Sequence, residues 1–487
     1  MAIGVSGVRA ASELIRAIGG RVVRAGRGEP AGVSIDTRTL APGDLFFALR
    51  GPNFDGHAFV GEALARVAWG AVVEEGAIDD AMAGATESAA ARAAGASGAG
   101  APAWIAVPDA TRALQEMGRA RRADLDIPFV AVTGSVGKTT TKEMIACALS
   151  AGFRVTRTEG NLNNHLGVPL SLLRAPADAT AAVYELAMSA PGEIRFLAEL
   201  VRPVVGIVTN VAAVHLESMS SLEAIARAKA ELVEALPAGG AALLNWDDER
   251  VRAMAPAARA QVLSYGFSEG ARLRAERVHL DDNGTVFEVA GGGSVRIPAW
   301  GRHLVYAGLA ALGAAELLGI SAIDARDALR RFRPAPSRSQ FRPLGLVRLL
   351  DDSYNASPLS VRAAVDALCD RPGGGARIVV LGDMLELGPS SEAMHEELGR
   401  DLAARRIDLL IAYGPLSAAI RRGAVAAGLR DDAAHHFASH AEIAAFLRAR
   451  LSPGDHLLVK GSRGMKMEEV IRLLESDLPA AIRPAAD

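Results

Sequence analysis

The chain has 487 residues, with 53 Lys+Arg against 56 Asp+Glu and a formal net charge of −3. Half the residues are hydrophobic and 22% are charged. That excludes a disordered chain and argues against a protein whose main task is wrapping nucleic acid, which needs a basic excess. At roughly 150 residues per domain, the length predicts about three domains. Cys147 and Cys369 are the two cysteines, too few for a disulfide framework or a four-thiolate zinc site, and they fit a reducing compartment. Residues 1–20 lack a basic start and a continuous apolar run, and no stretch approaches the ~18–20 apolar residues of a spanning helix. A soluble, cytoplasmic protein without membrane insertion or a nucleic-acid partner is expected, and a monomer.

Along the chain, Ala81–Ala103 has no Leu, Ile, Val or aromatic residue, only Met82 as a sizeable apolar group. It reads as a flexible Ala/Gly insertion near 81–102. Ala103–Asp109 looks like a strand entering a turn. Ile127–Val132 is a short β-branched run, TGSVGK a glycine loop, and Thr139–Gly152 has helical spacing at Met144, Ile145, Ala148 and Leu149. Strand, glycine loop and helix make a mononucleotide-binding unit. Further strand-like runs lie at 181–187, 204–210, 240–247, 347–353, 376–383, 408–414 and 455–461, with helical patterns between them. This alternation predicts an α/β fold with mostly parallel sheets. Arg272–Gly301, with its Asn283-Gly284 step, reads as an antiparallel hairpin excursion. Arg330–Gly345, with three prolines, reads as a hinge. The expected domains are an N-terminal α/β domain over 1–108, a central phosphate-loop domain over 109–333 and a C-terminal Rossmann-like domain over 334–487.

The general phosphate-loop pattern is G-x-x-x-x-G-K-[ST]. Gly137, Lys138 and Thr139 match it, but Val132 stands at the first glycine, so the compact form is Gly134-Ser135-Val136-Gly137-Lys138-Thr139. Backbone N–H groups of Gly134 to Thr139 can ring a phosphate at a helix N-terminus, and Thr140 beside them is counted with the ATP-binding residues. Lys138 can reach the β/γ-phosphates and the Thr139 hydroxyl can hold Mg²⁺. An ATP loop does not name a reaction. Glu185 ends one apolar strand and His215 follows another, at the strand ends where open α/β sheets place ligands. Lys229 lies in a helical pattern, where a lone lysine is normally on a solvated face.

Six segments together carry a family resemblance: Thr133–Met144, Glu159–Leu173, Thr209–Ser221, Asp351–Pro358, Val380–Gly388 and Val459–Val470. They resemble the Mur ligases, and most closely the activity that adds D-alanyl-D-alanine to UDP-N-acetylmuramoyl tripeptide. Ser34–Phe59 resembles that enzyme's nucleotide-sugar domain, which the N-terminal domain would be. The resemblance implies amide formation with ATP and Mg²⁺: a substrate carboxylate attacks the γ-phosphate, and an amine then captures the acyl phosphate.

The difficulty of such a reaction is electrostatic. One like-charge pair at ~4 Å with an effective dielectric near 20 repels by about 4 kcal/mol, so a γ-phosphate with about two charges opposes the carboxylate by roughly 8 kcal/mol. Cations and divalent metal must offset that. By resemblance, Thr139 would ligate a first Mg²⁺, Glu185 and His215 a second, and Lys229 would act as a carbamate. Arg338 and Asp352 would face ATP. Ser34, Asp36, Thr37 and Arg38 would hold the uridine diphosphate, with Asn163, Lys460 and Arg463 on the substrate side. The chain departs from the family at Ser189, Leu304 and Ala307, where asparagine is usual, and at Ser337, where Gly precedes the linker arginine. Another Mur ligase, such as the diamino-acid-adding enzyme, stays open, although its usual Asp-Asn-Pro-Arg string is absent. So does a non-ligase nucleotide switch.

Overall fold

In a computed structural model the described residues are 15, 18–52, 54–93, 101–214, 217, 219, 221–478 and 482–483. His215 and the 94–100 part of the Ala/Gly segment lie outside them. The chain forms two compact units, Met1–Ala131 with Phe153–Met188 and Gly192–Val204, and Val132–Gly152 with Ser189–Pro191 and Val205–Asp487.

The first unit contains β1 (Arg21–Arg24), β2 (Gly32–Ser34), β3 (Asp44–Phe47), the short hairpin β4 (Arg50–Gly51) and β5 (Phe54–Asp55), β6 (Gly70–Glu74) and β7 (Ala103–Val107). Its main sheet has the order β1-β7-β6-β3-β2, parallel except for β1. Side chains alternate across it: Leu45, Phe47, Val72 and Ile105 enter one core, Phe46, Ala71 and Trp104 the other. Burial on both faces explains why these strands read as continuous apolar runs. Helix α1 (Ile78–Ala93) covers the second core. The expected flexible insertion is therefore helical over its first half, with Ala81 and Ala85 buried and Met82 packed against the same cluster. Alanine has the highest helix propensity, and its small side chain still contributes to a core where a helix lies close to a sheet. Helix α2 (Ala110–Asp124), capped by the Asp109 carboxylate, puts Leu114 and Met117 into the first core.

At β8 (Phe129–Thr133) the chain passes into the second unit, runs through α3 (Lys138–Leu149) and returns to the first for β9 (Val155–Arg157), α4 (Gly167–Leu173), β10 (Ala181–Glu185) and α5 (Glu193–Val201). In the first unit β10 is parallel to β9 and its Ala182 N–H donates to Pro128 O at the start of β8, 3.0 Å.

In the second unit, Thr209 N–H donates to Thr133 O at the end of β8, 3.0 Å, directly after β11 (Val205–Val208). Helix α6 (Leu222–Glu234) follows, then β12 (Ala241–Asn245), β13 (Gln261–Gly266), β14 (Leu273–Asp281), β15 (Gly284–Val289) and β16 (Gly293–Ile297). β11 to β14 are parallel neighbours, and β14 to β16 form an antiparallel meander turning at Asn283-Gly284. The expected hairpin thus has three strands. Helix α7 (Leu304–Leu317) is almost wholly buried and packs along α3.

The C-terminal sheet is built from β17 (Gln340–Leu344), β18 (Val347–Asp352), β19 (Arg377–Gly382), β20 (Leu409–Tyr413), β21 (Ala434–Phe437) and β22 (His456–Lys460), in the order β17-β18-β22-β19-β20-β21. Only β17 is antiparallel. It occupies the end of the stretch expected as a hinge, and Pro343 is tolerated because β17 is an edge strand. Helix α8 (Pro358–Asp370) starts with a Ser357/Ser360 capping box and Pro358 in its first turn. The carboxyl ends of β18, β22 and β19 lie side by side, where an α/β sheet binds ligands. The α/β architecture with mostly parallel sheets is the one the sequence predicts.

Candidate functional site

The phosphate loop connects β8, whose five residues are all buried, to α3. Gly134 has φ +147° and Gly137 φ +84°, conformations that favour glycine. A Cβ on Gly134 would also lie 1.9 Å from Thr209 Oγ1. The Ser135 N–H donates to Asn210 O and the Val136 N–H to Asn210 Oδ1, each 2.9 Å. Expected among the phosphate-ringing groups, these two N–H groups are engaged by Asn210 in this structure, and Gly137 stands as the left-handed N-cap of α3. Lys138 folds back, with Nζ donating to Gly134 O at 2.8 Å and Ser135 O at 3.2 Å. Its charge lies over the loop that would receive the phosphates. Thr139 is buried in the first turn of α3, and Thr140 is half-buried beside it.

Lys229, expected on a solvated face unless the resemblance held, is only 2% exposed on the inner side of α6. Burial first, and repulsion from Lys138 second, push its pKa well below the usual lysine value. The amine is therefore biased toward its neutral form beside the phosphate loop.

In the first unit, Glu185 ends β10 and is 2% exposed. Asn163 Nδ2 donates to its Oε1 at 2.8 Å, and its backbone N–H donates to the buried Thr158 hydroxyl at 3.1 Å. Ser34, the last residue of β2, and Thr37 beyond it are buried. Asp36 accepts from the Arg38 backbone N–H and from its guanidinium, Nη2 to Oδ2 at 2.6 Å. The Arg38 hydrogen bond holds the Asp36 carboxyl below its ordinary pKa. Arg38 itself is 84% exposed at its side chain.

In the C-terminal part of the second unit, Arg338, Asp352, Lys460 and Arg463 converge. Lys460 Nζ pairs with Asp352 Oδ2 and donates to Asn355 O at 2.8 Å. Asp352 Oδ1 accepts from Ser339 N–H, 2.8 Å. The Arg338 guanidinium lies 3.9 Å from the Tyr354 ring centroid and that of Arg463 5.7 Å, within cation–π range. Arg338 sits between Ser337 and Ser339, both with positive φ (56° and 47°). His303, at the start of α7, feels both Asp352 and Lys460, but burial is the leading cause of its lowered pKa.

Three family profiles match the chain: "Mur ligase family, catalytic domain" at 29–122, "Mur ligase middle domain" at 132–315 and "Mur ligase, glutamate ligase domain" at 337–463. The UDP-N-acetylmuramoyl-tripeptide–D-alanyl-D-alanine ligase of Bacillus subtilis is 34% identical over 454 residues, covering 92% of this chain and 94% of the relative. The enzyme of the same name from Escherichia coli is 35% identical over 456 residues, 91% and 94%. The chain belongs to the Mur ligase family.

Among solved Mur ligases, a crystal structure of MurF from Acinetobacter baumannii superposes with a TM-score of 0.82 at 31% identity, covering 96% of this chain and 99% of that one. MurF of Thermotoga maritima, solved in complex with ADP, gives 0.76 at 27% identity, 92% and 97%. The three-domain α/β fold of Mur ligases is thus this chain's fold.

Where Mur ligases usually have asparagine on α7, Leu304 and Ala307 are buried apolar residues. Where they usually have Gly before the linker arginine, Ser337 occupies a left-handed conformation that glycine would adopt without steric strain. Sequence reasoning did not single out Thr209 and Asn210. Their signal was a polar pair closing an apolar strand, and the structure sets that strand beside the strand of the phosphate loop.

The donors available for Mg²⁺ are hard oxygens, a threonine hydroxyl and a buried carboxylate, which suit that ion. Among the described residues, no three His, Cys, Asp or Glu side chains cluster as a metal set. No helix among the described residues is long and apolar enough to cross a membrane.

Proposed function

We propose that this chain is an ATP-dependent ligase that joins D-alanyl-D-alanine to UDP-N-acetylmuramoyl tripeptide through an acyl phosphate, in the cytoplasm, as a step of peptidoglycan precursor synthesis. The names of its relatives support the substrates, and the ADP complex of a family member supports nucleotide use. The observation that carries the chemical reading is Lys229. A buried amine biased toward neutrality is the nucleophilic form that adds CO₂, giving an anionic carbamate that Lys138 attracts instead of repelling.

In this reading the N-terminus of α3 and Lys138 hold the ATP phosphates. Thr139 would hold a first Mg²⁺, and Glu185, oriented by Asn163, would hold a second with His215, with carbamylated Lys229 as a further oxygen donor. The ions would screen the repulsion between γ-phosphate and carboxylate. Arg338 and Asp352 face the nucleotide from the C-terminal side, where the Asp352–Lys460 pair ties the end of β18 to the end of β22. Ser34, Asp36, Thr37 and Arg38 take the uridine diphosphate, and Lys460 and Arg463 line the approach of the dipeptide. The domain limits that go with these roles are 1–108, 109–333 and 334–487.

The test is turnover of the purified protein with ATP, Mg²⁺, UDP-N-acetylmuramoyl tripeptide and D-alanyl-D-alanine. Phosphate release should require both other substrates, and product mass should show their condensation. Carboxylate ¹⁸O of the muramoyl peptide should appear in phosphate. Phosphate release indifferent to both substrates would reject ligation in favour of a nucleotide switch.

A further inference from the structure

The usual phosphate loop is longer than this one. Its first glycine is replaced by Val132, which is buried in β8 and belongs to the strand. The turn left over, Gly134–Gly137, is braced from outside, by the segment that follows β11.

The brace has a defined geometry. Asn210 Oδ1 accepts the Val136 N–H at 2.9 Å, and Asn210 Nδ2 donates to Val136 O at 2.9 Å. Thr209 Oγ1 donates to the same oxygen at 2.7 Å. Next to them, Ser135 Oγ donates to Ala212 O at 3.0 Å and accepts the Ala212 N–H at 2.9 Å. The bracing segment is itself anchored: Asn245 Nδ2 donates to Thr209 O and Val211 N–H donates to Asp248 Oδ2, both 2.8 Å. β12 and the turn after it thus give the carboxamide a rigid base.

We infer that Asn210 is a positioning residue for the nucleotide, acting through the Val136–Gly137 peptide. That peptide is planar and trans, so its C=O and N–H point in opposite directions. Two donors, Asn210 Nδ2 and Thr209 Oγ1, hold the carbonyl toward β11. The Gly137 N–H is therefore aimed away from β11, at the start of α3, where an anion gains from the helix dipole. Without the clamp the peptide can rotate about the glycine φ. Its carbonyl can then face the phosphates and turn an attraction into a repulsion. Asn210 makes no contact with nucleotide in this role; it fixes which way the loop's dipole points.

The experiment compares ADP and ATP binding by calorimetry with the KM of each substrate, in wild type and in Asn210→Ala, Asn210→Asp, Thr209→Ser and Thr209→Val. Losing bonds that orient a charged-ligand site should weaken nucleotide binding by about 10- to 100-fold in Asn210→Ala. Asn210→Asp should do no better, because a carboxylate faces the Val136 carbonyl. Thr209→Ser should bind as wild type, and Thr209→Val should be weakened several-fold. The KM values for the muramoyl peptide and the dipeptide should stay within twofold. ADP affinity unchanged in Asn210→Ala, or in both Asn210→Asp and Thr209→Val should Asn210→Ala not fold, overturns the inference. So does an equal rise in all three KM values with a falling melting temperature, which marks a merely structural contact. If wild type itself fails to bind ADP, the loop is no nucleotide site and the clamp has no such role.

Discussion

Asn163 donates its side-chain N–H to Oε1 of Glu185 at 2.8 Å, which fixes one oxygen of a carboxylate that is nearly sealed from water. An oriented carboxylate can ligate a cation without first losing rotamer freedom. Asn163→Ala should lower kcat by about 10- to 100-fold, the loss expected for one hydrogen bond to a charged group. It should also shift the Mg²⁺ titration of activity to higher concentration. Asn163→Asp, which sets a second carboxylate against the first, should be worse than Ala at neutral pH. Steady-state rates over a magnesium series check both, and an unchanged magnesium dependence would remove Asn163 from this role.

Arg38 is clasped by its own neighbour, Asp36, in a bidentate ion pair at an exposed position. The pair uses Nε and Nη2, and the remaining guanidinium N–H groups of this exposed side chain are those a diphosphate would take. Arg38→Ala should raise the KM of the nucleotide-sugar substrate by several-fold to about tenfold and leave kcat alone, the signature of binding that is equal in ground and transition states. Arg38→Lys should recover only part, since an ammonium cannot make the paired contacts of a guanidinium. Raising ionic strength should narrow the gap between wild type and variant.

Much of the architecture was legible because the buried parallel strands are continuous apolar runs such as Val205–Val208 and Leu409–Tyr413. The phosphate loop was legible because its chemistry is local. What escaped were features set by tertiary partners. Ala81 and Ala85 look featureless in a string of small residues, yet they form part of a core once the helix meets the sheet. Gln340–Leu344 looked like hinge because of Pro343, and becomes a strand by pairing with Val347–Asp351. The burial of Lys229 could not be read from helical spacing alone, since a lysine in an amphipathic pattern is ordinarily solvated. The engagement of Ser135 and Val136 by Asn210, 74 residues from Val136, leaves only a polar Thr209-Asn210 pair after an apolar run as its trace in the sequence.

Ser337 and Ser339 flank Arg338 with positive φ. A left-handed non-glycine residue costs roughly 1–2 kcal/mol, offset in part by the larger backbone entropy a glycine would lose on folding. Ser337→Gly should therefore stabilise the protein by about 0.5 kcal/mol, a rise of a degree or so in melting temperature. Ser337→Val, which adds a β-branched side chain at the same φ, should destabilise it. Calorimetric melting of the three proteins decides this, and a lower Tm for the glycine variant would refute the strain.

His456 is buried in β22, its Nε2 3.3 Å from Arg348 Nη1. Burial first, then the charges of Arg348, Arg371 and Arg377, push its pKa from 6.5 down to about 4. The native ring stays neutral where the unfolded one takes up a proton, so its contribution to stability is present above pH 6.5 and is lost as pH falls toward 4. The loss is at most about 1.4 kcal/mol per pH unit for one proton. His456→Gln, which keeps an acceptor for Arg348, should flatten the stability profile over this window. Urea unfolding at pH 7, 6 and 5 measures it, and an unaltered slope would assign the acid sensitivity elsewhere.

Lys229, proposed as the carbamate site, is costly to bury. Its pKa is lowered by burial and by Lys138, so at neutral pH the folded state either carries a desolvated ammonium or gives up a proton that the unfolded chain retains. Its contribution to stability is complete only above the free-lysine value of 10.5 and is lost as pH falls from there toward the native pKa. Lys229→Met, of similar length and without the charge, should be more stable than wild type at pH 7 by about 1–3 kcal/mol in carbonate-free buffer. The difference should shrink as pH approaches 10.5. Added bicarbonate should raise the melting temperature of wild type alone, because only a lysine can become a carbamate that Lys138 stabilises. The same substitution should abolish ligation, and Lys229→Ala should regain part of it with formate or acetate. A Lys229→Met protein that is less stable than wild type at pH 7 and unaffected by rising pH would mean that the native site accommodates the ammonium, and the carbamate would lose its physical basis.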